Sequence, residues 1–286
     1  MTIYLVRPMN KYSIVAVFTA LSLCHLSTLA ATNAVPSCYE GKLTAPAVPL
    51  AKELFVLIDQ TTLLDDQLKQ SVAEQVRPFL SKGNGFSVLV FSAFTQGKYT
   101  QLLTSGQLDH AMPDVLRSDV SKPVLGKFDQ CITRQAGLAG QTVGGALRSA
   151  FEGSSGEIAK SDVLASLKDI SGKVRQSKAT EKVVLLVSDM LENSSVSSFY
   201  ANQSVRKIDP SKEMKLATDN NLIADFNGAR VYVLGAGLLS DDAKKKATYR
   251  DPKTMLALAG FWKSYFEKSN AQLIEFGQPA LLNQAK

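Results

Sequence analysis

Apolar residues along this chain alternate between two periods. In "ELFVLID", residues 53–59, five consecutive apolar positions end in Asp59. A short apolar run of this kind predicts a strand buried on both faces. "DDQLKQSVAEQVRPFL" places Leu68, Val72, Val76 and Leu80 four apart, the stripe of a helix whose start is favoured by Asp65 and Asp66. "GFSVLVFSAF" predicts the second strand, and "YTQLLTSGQL" follows closely enough to predict an antiparallel neighbour. Residues 113–134 read as helix in pieces, broken at Pro123. "GQTVGGALRSAFEG" predicts a helix starting at or just after Thr142, and a further helix is expected over 157–176. "EKVVLLVSDM" is another buried strand, ending at Asp189. Residues 191–212 are polar and loop-like, followed by a helix over 214–227, the strand "ARVYVLGAG", the amphipathic helix "DPKTMLALAGFWKSYFEKSN" and a last strand "AQLIEFG".

Strands alternating with helices predict a doubly wound α/β sheet, mostly parallel, with helices on both faces and one antiparallel edge strand. Ligands of such sheets bind at the carboxyl ends of the strands. Asp59 and Asp189 both end apolar strands, so if those strands are neighbours the two acids meet at one rim. In the amphipathic helix, Leu258, Phe261, Trp262, Tyr265 and Phe266 fall at core spacing and are expected to pack on the sheet.

The N-terminus changes the picture of where the chain works. Arg7 and Lys11 precede the apolar run "IVAVFTALSLCHLSTLA" and small residues suited to signal peptidase, so residues 1–30 read as a secretory signal peptide. The run is short for a membrane span, and Leu23 before Cys24 speaks against a lipid anchor. Residues 31–52, with three prolines, form an extended arm; 53–277 form the domain; 278–286 are a polar tail. The expected location is the periplasm or the exterior, with no membrane insertion after cleavage. The net charge is +6, and losing Arg7 and Lys11 leaves about +4, mild for a nucleic-acid binder. The run Lys244–Lys246 reads as a solvated helix end, and no nucleic-acid partner is expected.

Three cysteines and two histidines bound the chemistry. Removing the signal removes Cys24 and His25. Cys38 and Cys131 are then expected to form one disulfide in an oxidising compartment, the other outcome being two buried thiols. His110 lies in the polar loop "LDHAMPD", where it is expected to face solvent. One histidine leaves no His/Cys zinc cluster and no serine triad that does not depend on His110. Hard oxygens from Asp59, Thr61, Thr142 and Asp189 would suit Mg²⁺, Mn²⁺ or Ca²⁺.

These same residues carry a resemblance. "DQTTL", with Asp59 and Thr61, is similar to the D-x-S-x-S motif of von Willebrand factor A-type domains. "GQTVGGAL", with Thr142, resembles that family's glycine-flanked threonine loop, and "VVLLVSDM", with Asp189, resembles its strand ending in T-D-G. The resemblance runs from about Glu53 to Gly277. It implies a Rossmann-type three-layer sandwich, a metal-ion-dependent adhesion site built from Asp59, Thr61, Thr142 and Asp189, and a non-enzymatic role in binding another protein. Two departures stand out: Leu63 replaces the second motif hydroxyl, and Met190 replaces the glycine. Thr62 and Asp65 are candidates to compensate for the lost hydroxyl. Without a metal, Asp59 would cap its loop through backbone N–H groups and Thr142 would cap its helix.

The function expected is therefore an exported binding or scaffold module of the bacterial envelope, with residues 191–219 as a candidate partner surface. A metal-dependent phosphohydrolase with Asp59 as nucleophile is a second class. It lacks the second acid two residues on, since Thr61 stands there, and the lysine of a phosphate loop is missing from "GQTVGGAL". A purely structural subunit with a dead site is the third.

Overall fold

The computed structural model of this chain describes residues 33–41, 43–95, 98–155, 161–201, 204–239 and 250–286. The expected signal peptide and the run Lys244–Lys246 lie outside them. In chain order the elements are β1 (Lys52–Asp59), α1 (Asp66–Val76), β2 (Gly85–Thr95), β3 (Lys98–Gln107), α2 (Asp114–Arg117), α3 (Lys122–Glu152), α4 (Val163–Gln176), β4 (Glu181–Val187), β5 (Tyr200–Ala201), β6 (Ser204–Val205), α5 (Pro210–Asp219), β7 (Ala229–Leu234), α6 (Pro252–Lys268) and β8 (Ala271–Phe276).

Six strands form the main sheet in the order β3-β2-β1-β4-β7-β8. All neighbours pair parallel except β2 with β3, the antiparallel edge. The strand period of two divides the core. Leu54, Val56 and Ile58 of β1 face α1 and α3, packing with Leu68, Val72, Val76, Val143 and Leu147. Phe55 and Leu57 face the other layer, with Leu164, Leu167 and Ile170 of α4 and the aromatic side of α6. Phe261, Trp262, Tyr265 and Phe266 are all fully buried, as their spacing predicts.

Helix boundaries depart from the sequence reading in three places. α3 runs unbroken through "GLAGQTVGGAL", because Phe128, Ile132, Ala139, Val143, Leu147 and Ala150 keep one buried stripe along its whole length. Pro123 lies in its first turn, where no N–H is needed, and so begins a helix rather than breaking one. The helix expected over 214–227 instead runs Pro210–Asp219. Asp209 caps its start with hydrogen bonds from Ser211 N and Lys212 N.

The arm and the tail are both fastened. Cys38 and Cys131 are bonded, 93 positions apart. Gln135 of α3 donates to Pro36 O at 2.7 Å and to Asp109 Oδ2 at 2.9 Å, and accepts from Asp109 N at 2.9 Å. His110 was expected in solvent; it is half-buried, with its Nε2 3.1 Å from Pro49 O. The tail is not simply polar surface, since Leu281 and Ala285 are buried. Gln75 of α1 accepts from Ala285 N at 2.7 Å and donates to Asn283 O at 3.3 Å. Among the described residues no helix is long and apolar enough to cross a membrane.

Replacing both cysteines by serine opens a loop of 93 positions. Loop entropy sets the expected loss at about 4 kcal/mol. It is read as a fall in the urea midpoint of the double variant, and an unchanged midpoint would show the bridge to be idle.

Candidate functional site

β1 and β4 are neighbours, with Ile58 opposite Val187, so the next residues, Asp59 and Ser188, meet at the carboxyl rim of the sheet. Asp59 has no exposed surface. Its Oδ1 accepts from Thr61 N at 2.9 Å and Thr61 Oγ1 at 2.6 Å. Its Oδ2 accepts from Ser188 Oγ at 2.9 Å and Ser161 Oγ at 3.1 Å. A carboxylate has about four lone-pair sites, and these four donors occupy them.

Asp189 stands beside this knot. Its backbone N–H donates to Thr62 Oγ1 at 2.9 Å, which ties the loop after β1 to the end of β4. Its Oδ1 accepts from Leu191 N at 2.8 Å. Met190 adopts φ 60°, the left-handed region that a glycine would take without strain. Two bonds hold it there: Met190 N donates to Ser188 Oγ and Trp262 Nε1 donates to Met190 O, both at 2.9 Å.

Burial pushes the Asp59 carboxyl above the ordinary aspartate range, against the lowering effect of its hydrogen bonds from Thr61, Ser188 and Ser161. Asp189 is held well above that range, first by burial and then by the charge of Asp59. The ion pairs among the described residues lie elsewhere, and none of them offers either acid a lysine or arginine. Nor does a third His, Cys, Asp or Glu join them among the described residues.

The site thus brings together three of the four residues expected from the sequence. Asp59, Thr61 and Asp189 share one rim; Thr142 does not. It lies inside α3, eleven positions before Gly153, or about 16 Å along the axis at 1.5 Å per residue. The rim end of α3 is its C-terminus, where Ser155 N donates to Gln60 O at 2.9 Å. Glycines at 140, 144 and 145 suggested a loop, but an intact helix with open space around each passes through them.

Ser161 and Ser188 were missed. Ser161 precedes Asp162, the N-cap of α4, at the end of the stretch "GSSGEIAKSD". The helix expected over 157–176 runs through it, whereas α4 starts only at Val163; nothing in the stretch names the acid that Ser161 meets. Ser188 sits one residue before Asp189, visible in "VSDM". Neither proposed substitute for Leu63 is a spare ligand. Thr62 accepts from Asp189 N, and Asp65 caps α1 by accepting from Leu68 N at 2.8 Å.

The residues nevertheless suit a hard cation. Thr61 and Ser161 give their hydroxyl protons to Asp59, leaving oxygen lone pairs that can face an ion. Oxygen donors from hydroxyls and carboxylates are what Mg²⁺, Mn²⁺ and Ca²⁺ take.

No protein-family model matches this chain, and no curated protein does. Solved structures show likeness at low identity. One is an aerotolerance-related membrane protein from Bacteroides fragilis, 11% identical with a TM-score of 0.34, over 79% of this chain and 92% of that one. Another is the vWF domain of the type V pili tip protein Mfa5 from Porphyromonas gingivalis, 13% identical with a TM-score of 0.26, over 51% of this chain and 40% of that one. Human COPII-coat protein Sec24c is 10% identical with a TM-score of 0.36, over 87% of this chain and 32% of that one. What those proteins do is theirs alone. The sheet of parallel strands with one antiparallel edge, layered between helices, is the doubly wound three-layer α/β sandwich expected from the sequence.

Proposed function

We propose that this chain is an exported, non-enzymatic protein-binding module of the bacterial envelope. Its partner docks on the carboxyl rim of the sheet through a divalent cation. Asp189, Thr61 and Ser161 would hold the ion, with Asp59 behind them as the common acceptor of the two hydroxyls. A bound Mg²⁺, Mn²⁺ or Ca²⁺ would offer an open coordination position to a carboxylate of the partner. The observation that carries this reading is the pair of acids at one rim, each raised by burial, Asp59 ringed by three hydroxyls, with no cationic side chain paired to either among the described residues. An uncompensated buried charge is costly, and a divalent ion is the compensation these ligands fit.

The hydrolase reading fares less well on geometry. A nucleophile needs a lone pair and a path to its target. Asp59 has neither, with no exposed surface and four donors on its two oxygens. The structural-subunit reading is favoured by those same four bonds, which satisfy Asp59 without an ion. For the partner surface, residues 191–219 present the β5–β6 hairpin, braced by Arg206, which pairs with Glu213 at 2.6 Å and donates to Ser198 O at 2.5 Å.

Titration calorimetry with Mn²⁺ tests the cation. Asp189→Ala should abolish the heat, and Ser161→Ala should weaken binding about tenfold, the cost of one ligand at 1.4 kcal/mol. Thr142→Ala should leave it unchanged. No heat from the wild type would leave the structural-subunit reading alone. Because both acids are raised and a cation competes with their protons, affinity should climb as pH rises through their titration. A flat or falling profile would contradict that arrangement. Asp59→Ala strips an acceptor from four donors. It should cost about 3 kcal/mol in chemical unfolding, whereas Asp189→Ala should cost far less.

A further inference from the structure

Asp189 is followed by a backbone that a methionine does not take of itself. Met190 stands at φ 60°, a region unfavourable for any residue with a Cβ and free to glycine. The chain on either side is fixed. Asp189 N donates to Thr62 Oγ1 at 2.9 Å, and Asp189 O accepts from Gly237 N, beyond the end of β7, at 2.8 Å. From Glu192 onward the loop is fastened again. Leu164 N, in the first turn of α4, donates to Glu192 Oε2 at 2.9 Å, and Phe199 N donates to Glu192 O at 2.7 Å. Met190 and Leu191 form the joint between these clamps.

That joint decides where the acid points. Leu191 N donates to Asp189 Oδ1 at 2.8 Å, a turn in which a carboxylate holds the amide two residues on. The amide reaches that oxygen only while the dihedrals of Met190 carry it there. With Oδ1 engaged in this way, Oδ2 is the oxygen turned over to an ion.

The anchor from outside the strand end is Trp262. Its indole N–H donates to Met190 O at 2.9 Å, and both residues are fully buried. The ring is wedged edge-on among Phe199, Phe261 and Tyr265, with centroids 6.3, 4.9 and 5.3 Å away. The bond to Met190 N runs only two residues back, to Ser188 Oγ.

We propose that Trp262 is a positioning residue for the rim. Its N–H holds Met190 left-handed, where a glycine would rest untethered, and so aims the Asp189 carboxylate. The consequence for binding rests on the cation reading; the positioning itself does not.

The test pairs two substitutions in the full chain. Trp262→Phe keeps a ring and removes the donor; Met190→Gly removes the need for one. In cation-free protein, exchange of the Leu191 amide should quicken about tenfold in Trp262→Phe, the order of one lost hydrogen bond. It is measured against the Val56 amide in the middle of β1, which reports global opening. Adding Met190→Gly should return that ratio to the wild-type value. Calorimetry with Mn²⁺ should follow the same pattern, about tenfold weaker in the single variant and restored in the double. A merely structural role would give no restoration, because Met190→Gly empties a buried place and lowers the urea midpoint further. The chain has a single tryptophan, so benzothienylalanine, the same bicycle with sulfur in place of N–H, can be fed in its stead. It keeps the packing and must loosen Leu191 equally, which decides the matter if Trp262→Phe does not fold. An unchanged Leu191 ratio in these variants would overturn the proposal, and so would a loss that Met190→Gly fails to restore. No heat from the wild type, with the Leu191 pattern as expected, would end the cation reading and leave the positioning standing.

Discussion

Asp59 ends the central strand of the sheet as a carboxylate with no exposed surface, and the loops above it take their shape from satisfying that group. Thr61 folds back on it from the next loop, Ser188 reaches it from the neighbouring strand, and Ser161 comes from the turn before α4. Three segments far apart in sequence converge on two oxygens. In a low-dielectric interior an unsatisfied carboxylate is among the costliest groups a fold can hold, so these bonds fix the rim as firmly as the apolar core fixes the layers.

The apolar layers set up this convergence. β1 is central because its two sets of side chains, Leu54, Val56 and Ile58 on one side and Phe55 and Leu57 on the other, are covered by different helix layers. Parallel pairing with β4 then sets the register that places Ser188 against Asp59. On one side, the aromatic face of α6 supports the strand end directly, since the Trp262 indole holds the Met190 carbonyl. Met190 keeps a left-handed backbone at a position where a glycine would rest unstrained, and its buried side chain joins the aromatic core as recompense.

How much of this was legible in the sequence depended on whether the signal was local. Strands that end in acids announced themselves, because a run such as "VVLLV" followed by a carboxylate has few other readings. The antiparallel edge was legible from the short connection to β3, and the disulfide from the count of cysteines. Thr142 was misplaced because glycines were read as a loop, although the stripe from Phe128 to Ala150 continues through them and outweighs their poor helix propensity. Ser161 and Glu192 were illegible for a different reason. Their roles lie in what they touch 102 and 28 positions away, and no short-range pattern records such a meeting. Glu192 read as part of a polar loop, yet that loop hides Leu191, Phe199 and Ile208 in the core.

The sulfur bridge has a mechanical consequence. Residues before Cys38 are held to β3 by hydrogen bonds, Ala34 N to Ser105 O among them, while Cys38 is bonded covalently to Cys131 within α3. Tension applied through the arm would first unzip those weak bonds and then pass through the sulfurs into a 31-residue helix. The stretch from Tyr39 to Ala51 would stay slack, so β1 and the acid at its end would be spared the load.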